Sequence, residues 1–415
     1  MTQRIWAGID AGKSAHHCVV VDDDGKRLLS RRVPNTEHDL NDLVDTVLEL
    51  NTDPTVAWAT DLNRGPASLL LAVLHHRDQQ VIYLSSRRFH HAAKLYRGEG
   101  KTDAKDAAII ADHARSRTDL QFINAADVDA RHLKVLMARR GMLSEDRRRT
   151  LNRLRGMLTE YFPALDKSFR FAKNIGALHL LTRYQTPSAI REAGVTGIEA
   201  WLRGRGARYF HKVAVTAVEA AQTQHVPIPG EHLAATVIGQ LAYEVLLLDD
   251  ALAEINHSIE TELPRHRYSS VVLSLPGFGP TLAAEFIAYT GGNMGHFANP
   301  DRLASFCGLA PVAKDSGNVS GNHRRPKSYD RRLLRVWYLS SMNAVKCDEP
   351  SKIYYDRKRS EGKVHVQAIL SLSRRRVNVL WAMLRDNTPY EARTPGKTAA
   401  EQATESMNVT DRAAT

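Results

Sequence analysis

Cysteine is scarce in this chain: Cys18, Cys307 and Cys347 are the only three in 415 residues. Their number is odd, they are far apart, and none belongs to a CxxC pair, which argues against both a disulfide framework and a structural zinc site. The sequence also lacks a run of roughly eighteen apolar residues, the length of a membrane-spanning helix. Its first residues, MTQRIWAGID, do not have the pattern of a signal peptide. We therefore expect a cytoplasmic protein without a membrane span.

Acidic residues are too few to balance the basic ones. The chain has 57 lysines and arginines against 46 aspartates and glutamates, a formal net charge of +11. An excess of this size favours a polyanionic partner such as nucleic acid. Apolar residues make up 43% and charged residues 25% of the chain, as in ordinary globular proteins, and the length suggests two or three domains.

The first 125 residues have the pattern of an α/β domain. Residues 5–10 predict a buried strand that ends at Asp10, and two further strands, 17–21 and 28–33, are joined by an Asp-Gly turn. Helix and strand patterns then alternate: helix 36–50, strand 54–61 ending at Asp61, helix 65–76 and strand 80–84. Three antiparallel strands followed by this alternation is the order of the ribonuclease H-like fold.

The rest of the chain is predicted to be mainly helical. Residues 120–130 have the pattern of a connection, and long amphipathic helices are expected at 131–162 and 231–262. These two helices could pair as a coiled-coil arm, within one chain or between subunits, which makes 126–265 a helical middle region. Residues 266–387 then predict a mainly α-helical domain with helices at 297–310, 331–345 and 364–384. The polar residues 388–415 predict a disordered tail.

Four aspartates are candidate metal ligands. Asp103 and Asp106 lie three residues apart at the start of a predicted helix capped by Thr102, so both can point in one direction. Asp10 and Asp61 end strands that are neighbours in a ribonuclease H-like sheet. Four converging carboxylates can hold two divalent ions about 4 Å apart for phosphoryl transfer. Mg²⁺ is the expected ion, with Mn²⁺ as the alternative. Acids in a first turn are also favoured by the helix dipole alone.

Two features predict contacts with nucleic acid. Helix 131–162 is rich in arginine, and its candidate phosphate ligands are Arg139, Arg140, Arg147, Arg148, Arg149 and Arg153. A solvated charged face is the alternative interpretation of this helix. The segment SLPGFGPTLAAEFIA resembles the hairpin of a helix-hairpin-helix element, in which the backbone at Gly277 and Gly279 would hold a phosphate. Tight turns, however, use the same residues.

Six segments together resemble the DEDD transposases of insertion sequences. They are GIDAGK, ATDLNRG, KTDAKDAAIIAD, SLPGFGPTLAAEF, LASFCGLAP and DSGNVSGN, and the resemblance covers about residues 5–385. It implies a RuvC-like N-terminal domain whose four acids, matching Asp10, Asp61, Asp103 and Asp106, bind magnesium. The second acid of that family is usually glutamate, so Asp61 is one methylene shorter.

The same resemblance implies a serine nucleophile in the C-terminal transposase domain. Ser316, after the segment GLAP, matches the family's serine, and Ser320 is a rival in the same loop. Arg324, Arg325 and Lys327 would supply positive charge beside it, although a serine next to glycine is more often a turn residue. The resemblance also implies donor and target DNA, a structured guide (bridge) RNA and a homo-oligomer, a dimer or tetramer, with sites shared between subunits.

Other functions stay open at this stage. A Holliday-junction-type endonuclease would use the same metal site without a covalent intermediate. A sugar-kinase-like or actin-like ATPase is suggested by GIDAGKS, but a second phosphate loop and an adenosine pocket are not recognisable in the sequence. A nucleic-acid-binding protein without enzymatic activity would follow if Asp61 disables the site.

Overall fold

The computed structural model describes residues 4–50, 56–62, 65–84, 89, 96, 102–117, 121–123, 128–313, 321, 323, 324 and 326–392. The chain forms two compact units, Met1–Ala126 and Asp127–Thr415. In the described part of the chain no helix is long and apolar enough to span a membrane, and all three cysteines are free thiols.

The N-terminal unit contains a six-stranded mixed sheet. Its strands are β1 Ile5–Asp10, β2 Ala15–Val21, β3 Arg27–Pro34, β4 Val56–Thr60, β5 Val81–Tyr83 and β6 Gln121–Ile123, in the order β3-β2-β1-β4-β5-β6. The first three strands pair antiparallel, β1, β4 and β5 pair parallel, and β6 pairs antiparallel with β5. This order is compatible with a ribonuclease H-like domain. The prediction that 120–130 is only a connection was wrong, because Gln121–Ile123 hydrogen-bonds to β5.

Helices cover both faces of this sheet. Helix α1 (Glu37–Glu49) begins after Thr36, whose side chain accepts a hydrogen bond from the backbone N–H of Asp39. It packs on one face together with α2 (Ser68–His76), which follows a 3₁₀ turn. Helix α3 (Asp103–Arg115) packs on the other face. Because the central strands β1 and β4 are buried on both faces, their sequences are nearly continuously apolar, whereas the outer strand β3 is largely exposed and polar.

The second unit is almost entirely helical in its described residues. Its helices are α4 Val128–Tyr161, α5 Pro163–Ser168, α6 Ile175–Leu181, α7 Pro187–Gly204, α8 Phe210–Gln222, α9 Glu231–Glu262, α10 Ser269–Ser274, α11 Pro280–Thr290, α12 Pro300–Phe306, α13 Arg331–Cys347, α14 Glu349–Ser360 and α15 His365–Asp386. A short hairpin pairs β7 (Val312–Ala313) with β8 (His323–Arg324).

Helices α4 and α9 pair antiparallel. Arg140 Nε donates to Asn256 at 2.7 Å, and Thr150 Oγ1 donates to Glu244 at 3.1 Å. The partner's residue number falls as the number on α4 rises, which sets the antiparallel direction. The two helices therefore pair within one chain, while a coiled-coil arm in the strict sense stays a prediction.

Two apolar cores lie at opposite ends of this helix pair. One joins the C-terminal half of α4 to α5–α8 and the N-terminal half of α9. The other joins the opposite helix ends to α10–α13 and α15. In that core Phe278, Phe286 and Trp337 pack edge to face, with ring centroids 5.6 to 6.2 Å apart.

Two helices of the C-terminal part differ from the prediction: one is shorter than predicted, and the other was not predicted. The predicted helix 297–310 is limited to Pro300–Phe306, because Asn299 caps it and Pro300 begins it. Helix α14 was not predicted. Of the predicted tail, residues 388–392 are described, and the backbone N–H of Tyr390 donates to Ser274 Oγ at 2.9 Å. The remainder, 393–415, lies outside the described residues.

Candidate active site

Strand β1 carries Asp10 to the edge of the sheet on the face that α3 covers. Side chains alternate along a strand, so Trp6, Gly8 and Asp10 share that face, and Trp6 packs in the same apolar cluster as Ala107 and Ala111 of α3. A Cβ built at Gly8 would lie 2.3 Å from both the carbonyl oxygen of Ala107 and the amide nitrogen of Ala111. The missing side chain therefore lets α3 lie directly on β1, beside Asp10.

Asp61 lies next to Asp10 across the parallel β1–β4 pair. Ile9 is in register with Thr60, so the following residues, Asp10 and Asp61, emerge together at the carboxyl ends of their strands. Ala59 faces α3, and Asp61, the residue directly after β4, is half-buried like Asp10. Both residues also interact with neighbouring groups of the chain.

Helix α3 begins at the same edge. The side chain of Thr102 accepts a hydrogen bond from the backbone N–H of Lys105 at 3.2 Å, which starts the helix at Asp103. Asp103 lies one turn before Ala107 on the stripe that contacts Gly8. Asp106, in the same first turn, is buried with 9% of its surface exposed.

The pKa of His17 supports this placement of Asp103. His17 lies on β2, in register with Asp10 of β1. Burial lowers the pKa of His17, and the charge of Asp103 opposes this shift by raising the pKa, so Asp103 lies within electrostatic reach. Asp103 and Asp10 therefore flank the same short stretch of sheet edge.

The four acids share this edge but do not form a finished ligand set. Among the residues that the structure describes, no group of three or more His, Cys, Asp or Glu side chains lies close enough to hold a metal ion. The donor types nevertheless suit a hard divalent cation, which prefers carboxylate oxygens and water. Like-charged carboxylates repel one another when no cation lies between them, so an open arrangement is expected of the side chains alone.

A second polar cluster, which the sequence did not reveal, fixes the far end of α3. Arg115 Nη2 donates to Asp112 at 2.7 Å and its Nη1 donates to the backbone carbonyl of Asp23 at 2.9 Å, while the Tyr96 hydroxyl donates to Asp112. Burial alone would raise the pKa of Asp112, but the hydrogen bonds from Tyr96 and Arg115 outweigh it and lower the pKa. This cluster ties α3 to the β2–β3 turn and so orients the helix that carries Asp103 and Asp106.

The arginines of α4 divide into paired and exposed side chains. Arg147 bonds to both carboxylate oxygens of Asp249 on α9, and Arg140 is held by Asn256. Arg148 and Arg149 are exposed but both bond to Glu145. Among the described residues only Arg139 and Arg153 of the six candidates are exposed without such a partner. Arg140 and Arg147 thus contribute to the contact between α4 and α9, and phosphate binding stays a prediction for the exposed side chains.

In the C-terminal region the candidate residues are only partly described. Gly277 has φ +85°, and a Cβ there would lie 2.2 Å from the carbonyl oxygen of Ser340, so this glycine packs on α13. A Cβ at Gly279 would meet nothing within 4 Å. Arg324 and Lys327 are exposed. Ser316, Ser320 and Arg325 lie outside the described residues.

Comparison with known proteins gives matches over nearly the whole chain. A DEDD family model of IS110, described as Transposase, matches residues 7–163, and the Transposase IS116/IS110/IS902 family model matches 269–356. The 42 kDa protein of insertion element IS900 from Mycobacterium paratuberculosis is 51% identical, covering 95% of this chain and 99% of its own. The 44.8 kDa protein of IS116 from Streptomyces clavuligerus is 43% identical over 94% and 97%. The 43.6 kDa protein of IS110 from Streptomyces coelicolor is 35% identical over 94% and 96%.

Proposed function

We propose a mechanism from the premise that this chain belongs to the IS116/IS110/IS902 family of transposases, which are DNA-cutting and joining enzymes. In this proposal the N-terminal unit is a ribonuclease H-like, RuvC-like nuclease domain. Asp10, Asp61, Asp103 and Asp106 are its catalytic acids. The assignment is supported by two observations: β1 and β4 end side by side at Asp10 and Thr60, and α3, which packs on Gly8 of β1, begins at Asp103.

The four acids are proposed to hold magnesium ions. A bound pair would stabilise the attacking and leaving oxygens of an in-line phosphoryl displacement. Asp10 and Asp61, fixed by the strand register, would provide the rigid half of the site. Asp103 and Asp106 would provide the half whose position depends on how closely α3 packs on Gly8.

The exchange of Asp103 or Asp106 for asparagine tests this assignment. Either change should abolish strand cleavage and leave folding and DNA binding nearly intact, because it removes one charge from a repelling group. Asp129→Asn, in the first turn of α4, is the matched control and should cut like the wild type. Full cleavage by the Asp103 and Asp106 variants would refute the metal site.

Ser316 is proposed as the nucleophile of a covalent step. Its Oγ would attack a backbone phosphorus and give its proton to an acceptor. One phosphorus–oxygen bond of the strand would break, and the leaving oxygen would take up a proton. The bond energy would be kept in the serine ester and used for rejoining, whereas hydrolysis loses it. Support comes from the resemblance around GLAP and from the exposed cations Arg324 and Lys327.

A denaturing gel with labelled DNA distinguishes the covalent route from a junction endonuclease. The covalent route predicts a protein–DNA adduct that disappears in Ser316→Ala and persists in Ser320→Ala. Cleavage without an adduct, unaffected by Ser316→Ala, would instead favour a metal-dependent junction endonuclease. An adduct on Ser320 would move the assignment to that residue.

The partners proposed are donor and target DNA, a structured guide RNA and further copies of the chain. The net charge of +11 and the exposed Arg139 and Arg153 support a polyanionic partner, and the RNA and the homo-oligomer rest on the family resemblance. Three scattered free thiols support a cytoplasmic location. Sequencing the nucleic acid that co-purifies with the protein tests the RNA, and light scattering tests the oligomer.

A further inference from the structure

A basic and aromatic turn joins α7 to α8, on a part of the molecule that the proposed chemistry does not use. We call residues 203–212 the arginine–tyrosine turn; its sequence is RGRGARYFHK. Arg203, Arg205, Arg208 and Lys212 are all exposed. Four cations in ten residues is a local charge density well above that of the chain as a whole.

Tyr209 is highly exposed and has an uncommon backbone conformation. It has 81% of its surface exposed, more than the other large hydrophobic side chains that the structure describes as exposed. Its backbone is left-handed, with φ 55° and ψ 30°, a conformation that costs free energy for a residue other than glycine. Among the described residues its hydroxyl has no hydrogen-bond partner. Packing therefore gives no reason for a tyrosine at this position, where glycine would be the less strained residue.

The cations around this ring are not neutralised within the chain. As far as the chain is described, no carboxylate lies within 4 Å of Arg203, Arg205, Arg208 or Lys212. Glu199, one turn before Arg203 on α7, is engaged by His211 on α8. Cations without a carboxylate partner remain available to an external polyanion.

Aromatic neighbours hold two of the guanidinium groups in place. Arg205 lies 4.5 Å from the ring centroid of Trp201, which Arg183 also contacts at 4.7 Å. Arg203 lies 4.9 Å from the ring centroid of Phe210. Cation–π contacts of this kind restrict the side chains before binding, so less conformational entropy is lost when they meet a phosphate.

The backbone of the turn is accessible as well. A Cβ at Gly204 or at Gly206 would meet no atom within 4 Å. Gly206 has φ +66°, so glycine is required there to make the turn. Beyond their neighbours in the chain, no group covers these two glycines, which leaves their peptide groups open to a ligand.

We propose that the arginine–tyrosine turn binds single-stranded nucleic acid. Tyr209 stacks on an unpaired base, and Arg205, Arg208 and Lys212 contact the flanking phosphates. An exposed ring beside a row of cations matches the surfaces that bind single strands, in which aromatic faces take bases and the cations follow the backbone. Bases within a duplex are already stacked and do not offer their faces, which favours an unpaired partner. The proposal depends on the proposed function only in taking nucleic acid as the partner of this chain.

The test is a binding titration of the full chain with a fluorescein-labelled, unstructured oligouridylate of about 15 nucleotides, a length that spans one such site. EDTA is present, so no cleavage occurs. Tyr209→Ala should weaken binding about tenfold, toward the lower end of the loss expected for one stacked base, and Tyr209→Trp should restore it. Tyr243→Ala, at a tyrosine of α9 with 57% exposure, is the matched control and should bind like the wild type. Equal binding by Tyr209→Ala and the wild type would overturn the proposal.

The charges are tested by the salt dependence of the same titration. Replacing Arg205, Arg208 and Lys212 by Gln should reduce the slope of log K against log salt by about two, because each phosphate contact to a single strand contributes about 0.7. The control replaces Lys167, Arg170 and Lys173 by Gln, three exposed cations beside the buried Phe169 and Phe171. An equal loss of slope in the control would mean that net charge alone matters, which contradicts a site in the turn.

A last variant separates binding from folding. Tyr209→Gly should raise or preserve the melting temperature, because glycine takes a left-handed conformation without strain, yet it should bind as weakly as Tyr209→Ala. A lower melting temperature with unchanged affinity would give Tyr209 a structural role and overturn the proposal. The metal-site assignment is judged separately, by cleavage in the Asp103→Asn variant, so either idea can fail alone.

Discussion

Gly8→Ala is the sharpest test of how the fold builds the candidate active site. A methyl group at this position would lie 2.3 Å from Ala107 O and Ala111 N and 2.8 Å from Ala111 Cα. All three are backbone atoms of α3, so no side chain can rotate aside. Ordinary contact begins at 3.4 Å, which requires α3 to withdraw from β1 by about 1.1 Å.

That displacement should affect both stability and catalysis. Forcing an extra methyl into a packed interface costs about 1–3 kcal/mol, and we expect the upper end because the obstacle is helix backbone. The same shift moves Asp103 and Asp106 away from Asp10 and Asp61 by about 1 Å, and a misplacement of this size can cost about a hundredfold in rate. The substitution should therefore lower the urea midpoint and reduce cleavage well below the fraction of protein that stays folded.

Urea denaturation followed by tryptophan fluorescence measures the first effect, since Trp6 and Trp58 are buried in the N-terminal unit. The effect on catalysis is measured as DNA cleavage without urea, at a temperature at which the variant is folded. Gly156→Ala is the matched control, because a Cβ on that α4 glycine meets nothing within 4 Å. It should be neutral or stabilising by about 0.5–1 kcal/mol. Wild-type stability and activity in Gly8→Ala would refute the close approach of α3 to β1.

Three further outcomes follow from the side-chain contacts. Arg147→Ala should destabilise the chain by about 1–3 kcal/mol, because it leaves the half-buried Asp249 without its cation; an unchanged urea midpoint would contradict this pairing. Arg153→Ala should change the stability by no more than about 0.5 kcal/mol and lower the salt slope of duplex DNA binding by about one. An unchanged slope would favour the interpretation of Arg153 as part of a solvated charged face. Asp112→Asn should remove part of the acid sensitivity of folding, because the pKa of Asp112 is lowered in the folded chain. The contribution of Asp112 to stability is therefore present above its unfolded pKa of about 4 and is lost as the pH falls through the folded pKa. Urea midpoints between about pH 2 and 6 check this, and identical pH profiles for variant and wild type would contradict it.

The sequence predicted those helices and strands whose own residues carry a strong periodic pattern, and it missed those that form only through tertiary contacts or lack apolar periodicity. Helix α9 was predicted at 231–262 and is found at Glu231–Glu262, since its apolar periodicity is strong. Strand β6 was missed because three residues carry no alternation, and only its pairing with β5 makes it a strand. Helix α14 was missed because it is polar, although Asp348 as its N-cap and Pro350 in its first turn were available signals.

The candidate ligands could be predicted because each follows a local signal. Asp10 and Asp61 end apolar runs, and Asp103 follows a capping threonine. The contacts that orient them could not be predicted in the same way. Tyr96, Asp112 and Arg115 meet through the fold, and no spacing in the sequence indicates which acid will pair with which base.

The arginines of α4 and of the arginine–tyrosine turn show why a run of charge does not by itself identify a binding surface. On α4, the structure uses Arg147 to bind Asp249 and Arg155 to bind Asp166, so part of the charge contributes to packing. In the turn, the described residues leave the four cations without carboxylates and place an exposed tyrosine among them. A charge that is neutralised inside the chain gains little by meeting a phosphate, because the internal pair must first be broken. An unpaired charge that is already oriented has no such cost. Of the two basic segments, the shorter one is therefore expected to contribute more affinity per cation.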